Sequence, residues 1–259
     1  MLPSPLPAIG RSDYHAGTAR LEKRFSDGFS FLATYTYSKF LNNTDEGGAD
    51  VGDVGVYSDF YNRAADYGPS GNDIRHRLTV SGVYELPIGP DKRFLSAHWL
   101  GHVVGGWSIG LLGTLQSGAP FTVLTQTNFT NAFSAGGLRA DVTGNPALPS
   151  SDRTLGRWFN TDAFTQPAPF TFGNSRRGIL RGDGVVNADL SLAKNVALGR
   201  ARSLQLRVEL FNAFNQANFD LPGTPSVRRT SASSRMQRGD ARFSWGCVRS
   251  SELRRASIY

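Results

Sequence analysis

Gly106-Trp107-Ser108-Ile109-Gly110 has the G-x-S-x-G spacing of a hydrolase nucleophile elbow, where a sharp strand-to-helix turn presents the serine and a later acid and histidine complete the relay. All four histidines, His15, His76, His98 and His102, precede Ser108, and an alternating strand follows it where the helix is required. Ser191-Leu192-Ala193-Lys194 has the S-x-x-K spacing of a serine nucleophile with its lysine, but it falls in a period-two run without S-D-N or K-T-G partners. His98 and His102 are four apart, as zinc ligands on a helix would be, yet no glutamate completes H-E-x-x-H and the segment reads as a turn. Asp45, Glu46, Asp50, Asp53 and Asp59 offer the oxygens that calcium takes, but not in EF-hand order, so a solvated acidic loop is the better account. No phosphate-cradling G-x-x-x-x-G-K-[ST] occurs, and the single cysteine, Cys247, leaves no disulfide possible within the chain. The expectation is a protein that is not an enzyme, with no cofactor and no metal.

The polar residues that recur with a period of two suit a different task. Arg75, Arg77, Thr79, Ser81 and Glu85 share one side of a strand, opposed by Leu78, Val80, Gly82, Tyr84 and Leu86. Asn187, Asp189 and Ser191 oppose Val186, Ala188, Leu190 and Leu192, and Gln205, Arg207 and Glu209 oppose Leu204, Leu206, Val208 and Leu210. The candidate site is therefore a set of inward-facing polar residues, Arg75, Arg77, Glu85, Asp189, Arg207 and Glu209. Opposite charges on neighbouring strands form ladders worth about 0.2–1 kcal/mol per pair. The plainer role for these residues is to solvate a wet interior; the sharper one is to contact a plug or a solute.

The elements that must carry them are strands. Phe29, Phe31, Ala33, Tyr35 and Tyr37 alternate with Ser30, Thr34, Thr36 and Ser38, and Trp107, Ile109, Leu111, Gly113 and Leu115 with Ser108, Gly110, Thr114 and Gln116. Periodicity alone does not choose between a soluble sandwich and a barrel that turns its apolar face to lipid. The connections do: Asp27-Gly28 is a two-residue hairpin signal between Gly17–Phe25 and Phe29–Ser38, whereas some 30 Gly-, Asp- and Asn-rich residues precede the next strand near Ile74. A moderate connection from Leu86 to Trp107, a very long one from Ser117 to Gly184 and a short turn at Leu198–Arg202 repeat the asymmetry of outer-membrane barrels. Tyr35, Tyr37, Tyr84 and Trp107 lie near strand ends, where an interfacial aromatic girdle belongs. The predicted fold is all-β: an antiparallel up-and-down transmembrane β-barrel segment of about six strands from a larger barrel, with long loops.

No run of about 18 apolar residues exists, so the sequence predicts no transmembrane helix. A mean hydropathy of −0.29 is compatible with barrel strands, which need only 9–11 alternating residues. The net charge of +7 is concentrated after Thr224, where eight arginines face only Asp240 and Glu252 and so supply six of the seven charges. That distribution argues for a tail and against a folded nucleic-acid surface; no nucleic-acid partner is expected. Residues 1–224 are expected to be a partial barrel domain and residues 225–259 an Arg- and Ser-rich tail, disordered or read out of frame from about Pro222–Pro225. The start, Met1-Leu2-Pro3-Ser4-Pro5-Leu6-Pro7, lacks the pattern of a secretory signal, which suggests a C-terminal piece of a longer protein.

Several segments match a known pattern together: Leu21-Glu22-Lys23-Arg24-Phe25 through Tyr35-Thr36-Tyr37-Ser38-Lys39, Asp73-Ile74-Arg75-His76-Arg77-Leu78 through Leu86-Pro87, Gly105-Gly106-Trp107-Ser108 through Gly118-Ala119-Pro120-Phe121, and Glu209-Leu210-Phe211-Asn212-Ala213-Phe214-Asn215. From Tyr14 to Gly223 the chain resembles the C-terminal barrel of TonB-dependent outer-membrane transporters of the Oar-like group. The resemblance implies a barrel of about 22 strands around a plug, energised through TonB, in the outer membrane of a Gram-negative bacterium. It implies as partners the membrane lipid, the plug and remaining strands, TonB through a part missing here, and an unknown solute. The chain departs from the pattern in having no plug or TonB-contacting segment, so transport by it alone is not expected. A structural or adhesive surface protein is the alternative.

Overall fold

The computed structural model describes residues 10–43, 58–59, 61–89, 92–94, 101, 104–125, 128, 130–131, 138–154, 156–197, 203–221, 226–227 and 242–249. Seven strands form one antiparallel meander: β1 (Ser12–Ser26), β2 (Phe29–Asn42), β3 (His76–Glu85), β4 (Trp107–Gln116), β5 (Val185–Ala197), β6 (Ser203–Phe211) and β7 (Arg242–Arg249). Each pairs with its neighbours in chain order, and among the described residues β1 and β7 are open edges. Each of the six predicted strands coincides with one of β1 to β6. β1 and β2 turn at Asp27 and Gly28, both at positive φ (53° and 78°), the type I′ geometry that matches the strands' twist. Glycine also permits close approach where β4 ends and β5 begins: a Cβ on Gly118 would collide with the Gly182 carbonyl oxygen.

Within the stretch read from sequence as a tail, Arg242–Arg249 is a strand that pairs Phe243, Trp245 and Cys247 with Leu210, Val208 and Leu206. The segment continues the two-residue alternation, so the composition of the tail as a whole conceals a short stretch with strand periodicity.

Registers carry one face across the whole sheet. Phe31 is opposite Gly82, Gly82 opposite Leu111, Leu111 opposite Leu190 and Leu190 opposite Leu210. By the same registers Phe29, Leu78, Trp107, Leu190 and Leu206 share that face. None of these is in the buried core. Leu21, Tyr37, Tyr84, Leu111, Leu115, Leu192 and Leu206 on it are all exposed, apolar side chains spread over neighbouring strands of one face.

The buried core lies elsewhere, in the long β4–β5 connection. Phe121, Val123, Ala140, Phe159, Ala163, Phe164 and Leu180 pack together, with Trp158 and Leu221 against them. Pro120–Phe121 pairs with Leu180–Arg181, and Asp141–Val142 with Phe164–Thr165, so this connection folds as a compact cap at the end of the sheet. Loops that lack structure of their own are uncommon at this length, and here the loop supplies its own.

Candidate functional site

Five of the six candidate polar residues share the second face by register, and the sixth, Arg75, lies outside the strands and interacts with Tyr37. Arg77 and Glu85 belong to β3, Asp189 to β5, and Arg207 and Glu209 to β6, all in register with one another's rows. Arg75 lies just ahead of β3, where its carbonyl accepts from Ser38 N–H at 3.0 Å. Their ion pairs, among the described residues, run along one strand or to an adjoining connection. Arg207 pairs with Glu209 two residues along its own strand at 3.0 Å, Arg77 donates to Gln116 on β4 at 3.1 Å, and Glu85 takes Lys92 from the following connection at 2.7 Å. Asp189 accepts from Asn187 Nδ2 (3.0 Å) and Asn212 N–H (2.8 Å), which fixes the exit of β6. Arg75 binds Asp73 at 2.9 Å.

A cavity of about 630 Å³ opens on this face, lined by Leu32, Ser81, Leu112, Asp189, Arg207 and Phe211 among others, so this is the concave side of the sheet. Its floor holds residues that break the two-residue alternation. Leu32 and Leu112 each face Ser81 in adjoining strands, Val83 is opposite Ser30 and Gly110, and Phe211 follows on β6. Leu112 is 53% exposed and Val83 43%. Each exception is unremarkable in its own strand; only the register gathers them into one apolar strip on an otherwise polar face.

Above the cavity, the cap is fastened to the β2–β3 connection by arginines. The Asp73 carboxylate is fully buried, accepts Phe40 N–H at 2.6 Å and binds both Arg75 and Arg181. Burial alone would raise its pKa, but the Phe40 N–H and the two guanidiniums outweigh burial and hold it below the usual carboxylate range. Arg139 pairs with Asp66 at 2.9 Å, both nearly buried, and donates to the Ala65 carbonyl at 3.0 Å. Arg177, also buried, donates to the carbonyls of Asn42 (3.1 Å) and Asp66 (3.3 Å). Thus Arg139, Arg177 and Arg181 from one loop meet the carboxylates and carbonyls of another. None of the three arginines is a candidate from sequence, because the carbonyls they reach across this junction lie 74 to 135 residues away and no spacing rule links them.

The hydrolase-like spacing does not sit in an elbow: Ser108 lies within β4, opposite Glu85 and Ala193, with no strand-to-helix turn. Ser191 and Lys194 lie within β5. His98, His102 and the acidic residues Asp45, Glu46, Asp50 and Asp53 lie outside the described residues, and the Asp59 carboxylate accepts Tyr61 N–H at 2.9 Å. Among the described residues no group of three or more His, Cys, Asp or Glu is placed to hold a metal ion.

An antiparallel meander that turns an exposed apolar face outward and a polar face onto a cavity is the wall of a membrane β-barrel. The chain belongs to the outer membrane beta barrel domain family, whose model matches residues 6–244. Its place is the outer membrane, with its convex face in contact with lipid. No curated protein matches the chain, and no solved structure does.

Proposed function

We propose that the chain forms the C-terminal part of the barrel of a TonB-dependent outer-membrane transporter of the Oar-like group, through which a solute passes without covalent chemistry. The observation that carries this reading is the apolar strip of Leu32, Val83, Leu112 and Phe211 on the wet face. Exposed apolar side chains on a water-filled wall are costly, and a plug packed inside a barrel would cover them. The long-loop end, with its folded cap, is then the exterior mouth, and the polar residues around Asp189 and Arg207 line the path. The chain on its own is not expected to transport, since an open sheet encloses no channel. Sequencing the flanking DNA tests this: an adjoining frame that encodes a plug and an export signal is expected, and neighbouring frames without one would count against it.

A second reading, an adhesive surface protein, draws on the exposed aromatics at the long-loop end. Phe170 is 76% exposed and held at φ 63°, a conformation that bulky residues rarely adopt, and Tyr61 is 96% exposed. Substituting Phe170 with serine discriminates the two. Loss of attachment of whole cells would favour adhesion, and unchanged attachment would favour transport.

A further inference from the structure

The lipid-facing side is apolar along its middle and ends, toward the long loops, in a cluster of another kind. His15 and Lys39 are direct partners across β1 and β2, and two residues further along the strands Gly17, Tyr37 and His76 form the next row on this face. Tyr35 Oη and His76 Nδ1 are 2.8 Å apart, and the Tyr37 and His76 rings lie 5.2 Å apart, centre to centre. His15, Tyr35, Tyr37, Lys39 and His76 are all exposed. Gly17 leaves open space, since a Cβ there would meet nothing within 4 Å. Above them on this face the Asp13 carboxylate is held by Arg11 at 2.7 Å and by Tyr67 Oη at 2.5 Å.

The opposite margin differs. There Lys23 lies over the Phe29 ring at 5.3 Å and Lys194 over the Trp107 ring at 5.0 Å, so both ammonium groups have an aromatic face to rest on. Among the described residues Lys39 has no ion-pair or ring partner of this kind. An ammonium at the edge of hydrocarbon must reach the head-group layer, and the Tyr35 and Tyr37 rings set that depth. Between Tyr37 and Phe29 β2 advances eight residues, close to the 9–11 that a tilted strand uses to cross, so the two margins fall at the two membrane surfaces.

From this placement we propose that His15, Lys39 and His76 form a binding site on the outside of the wall for the phosphate of an anionic lipid in the leaflet at the long-loop end. Lys39 supplies the charge and the imidazoles supply N–H donors. The Tyr35 hydroxyl engages His76 Nδ1, so Nε2 is the ring nitrogen that faces a phosphate oxygen in the proposed site. The notch at Gly17 admits the head group beside Tyr37.

The test reconstitutes the full chain in phosphatidylcholine vesicles that carry about 5 mol % of either photoactivatable phosphatidic acid or photoactivatable phosphatidylcholine, so that the two probes differ in head-group charge. Cross-links are mapped by mass spectrometry. Labelling around Gly17, Tyr37 and His76 is expected to be about fivefold stronger with phosphatidic acid. His15→Gln with Lys39→Gln removes that preference, Lys39→Arg retains it, and Lys23→Gln leaves it unchanged. Competition by millimolar inorganic phosphate would assign the site to free phosphate and overturn the lipid assignment. Equal labelling by the two probes, or a preference that survives the double substitution, overturns the proposal. Labelling at Leu111 and Leu192 reports insertion itself, and its absence would overturn the lipid-facing assignment together with the site.

Discussion

Asp73 fastens the mouth at one point, because one buried carboxylate joins β2, the start of β3 and the cap. Replacing it by asparagine removes the charge that compensates Arg75 and Arg181, at a cost of about 3 kcal/mol. Amide exchange in 119–123 and 178–182 of Asp73→Asn is therefore expected to rise about a hundredfold, measured by mass spectrometry on reconstituted protein. The pH dependence follows from its lowered pKa. A carboxyl depressed on folding contributes its stability above the unfolded value of about 3.9 and loses it as pH falls through the lower folded value. Wild-type cap protection is expected to hold from pH 7 to about pH 4 and fall only below that, whereas the asparagine variant shows no such step. Asp66 and Arg139 extend the logic to a pair. Arg139→Met strands a buried carboxylate, while Asp66→Leu with Arg139→Met removes both charges, so the double variant is expected to be the more protected of the two in the same assay.

At the scale of elements, the strands are legible because a half-buried strand writes its two faces directly into the sequence, and Phe29–Ser38 and Leu204–Leu210 do so with few exceptions. The Asp27-Gly28 turn is legible for the same local reason. The cap is not, since Phe121, Val123, Phe159, Phe164 and Leu180 follow no period, and what assembles them is long-range packing among Gly- and Pro-rich segments. The concave strip stays hidden in the sequence because Leu32, Val83 and Leu112 look like isolated lapses until the register aligns them. β7 is obscured by the arginines around it, and its pairing admits a direct check. Cys247 is the only cysteine and the register partner of Leu206, and antiparallel partners bring Cα atoms to about 4.5–5.5 Å, within disulfide range. Oxidised Leu206→Cys protein is expected to join the introduced thiol to Cys247 in far higher yield than Gln205→Cys, read as a linked peptide after proteolysis. Equal yields would show that residues 242–249 do not pair with β6 in this register.

For the molecule as a whole, the directions of the two open edges constrain what can complete it. β1 starts at the long-loop end, where Ser12 is opposite Asn42, and β7 starts at the same end, where Arg242 is opposite Phe211. Both edges therefore run the same way. Copies joined head to tail would place β7 beside β1 in parallel, which an up-and-down barrel does not use. Copies related by a two-fold axis normal to the sheet would pair antiparallel but send their long loops to opposite sides of the membrane. Neither arrangement closes a wall, so under the proposed function each edge meets a strand of opposite direction from another segment, which would add an odd number of strands to the seven described to reach the even total of an outer-membrane barrel. The consequence is measurable along β1. In the chain alone, amides directed at β2 are expected to be protected and the alternate ones, directed outward, to exchange nearly as an unpaired strand does. Raising the concentration of the chain should leave this alternation intact, and co-refolding with the polypeptide of the adjoining frame proposed above should abolish it. Protection of the outward amides that grows with the concentration of the chain itself would show that copies do pair, and the completing segment would then be unnecessary.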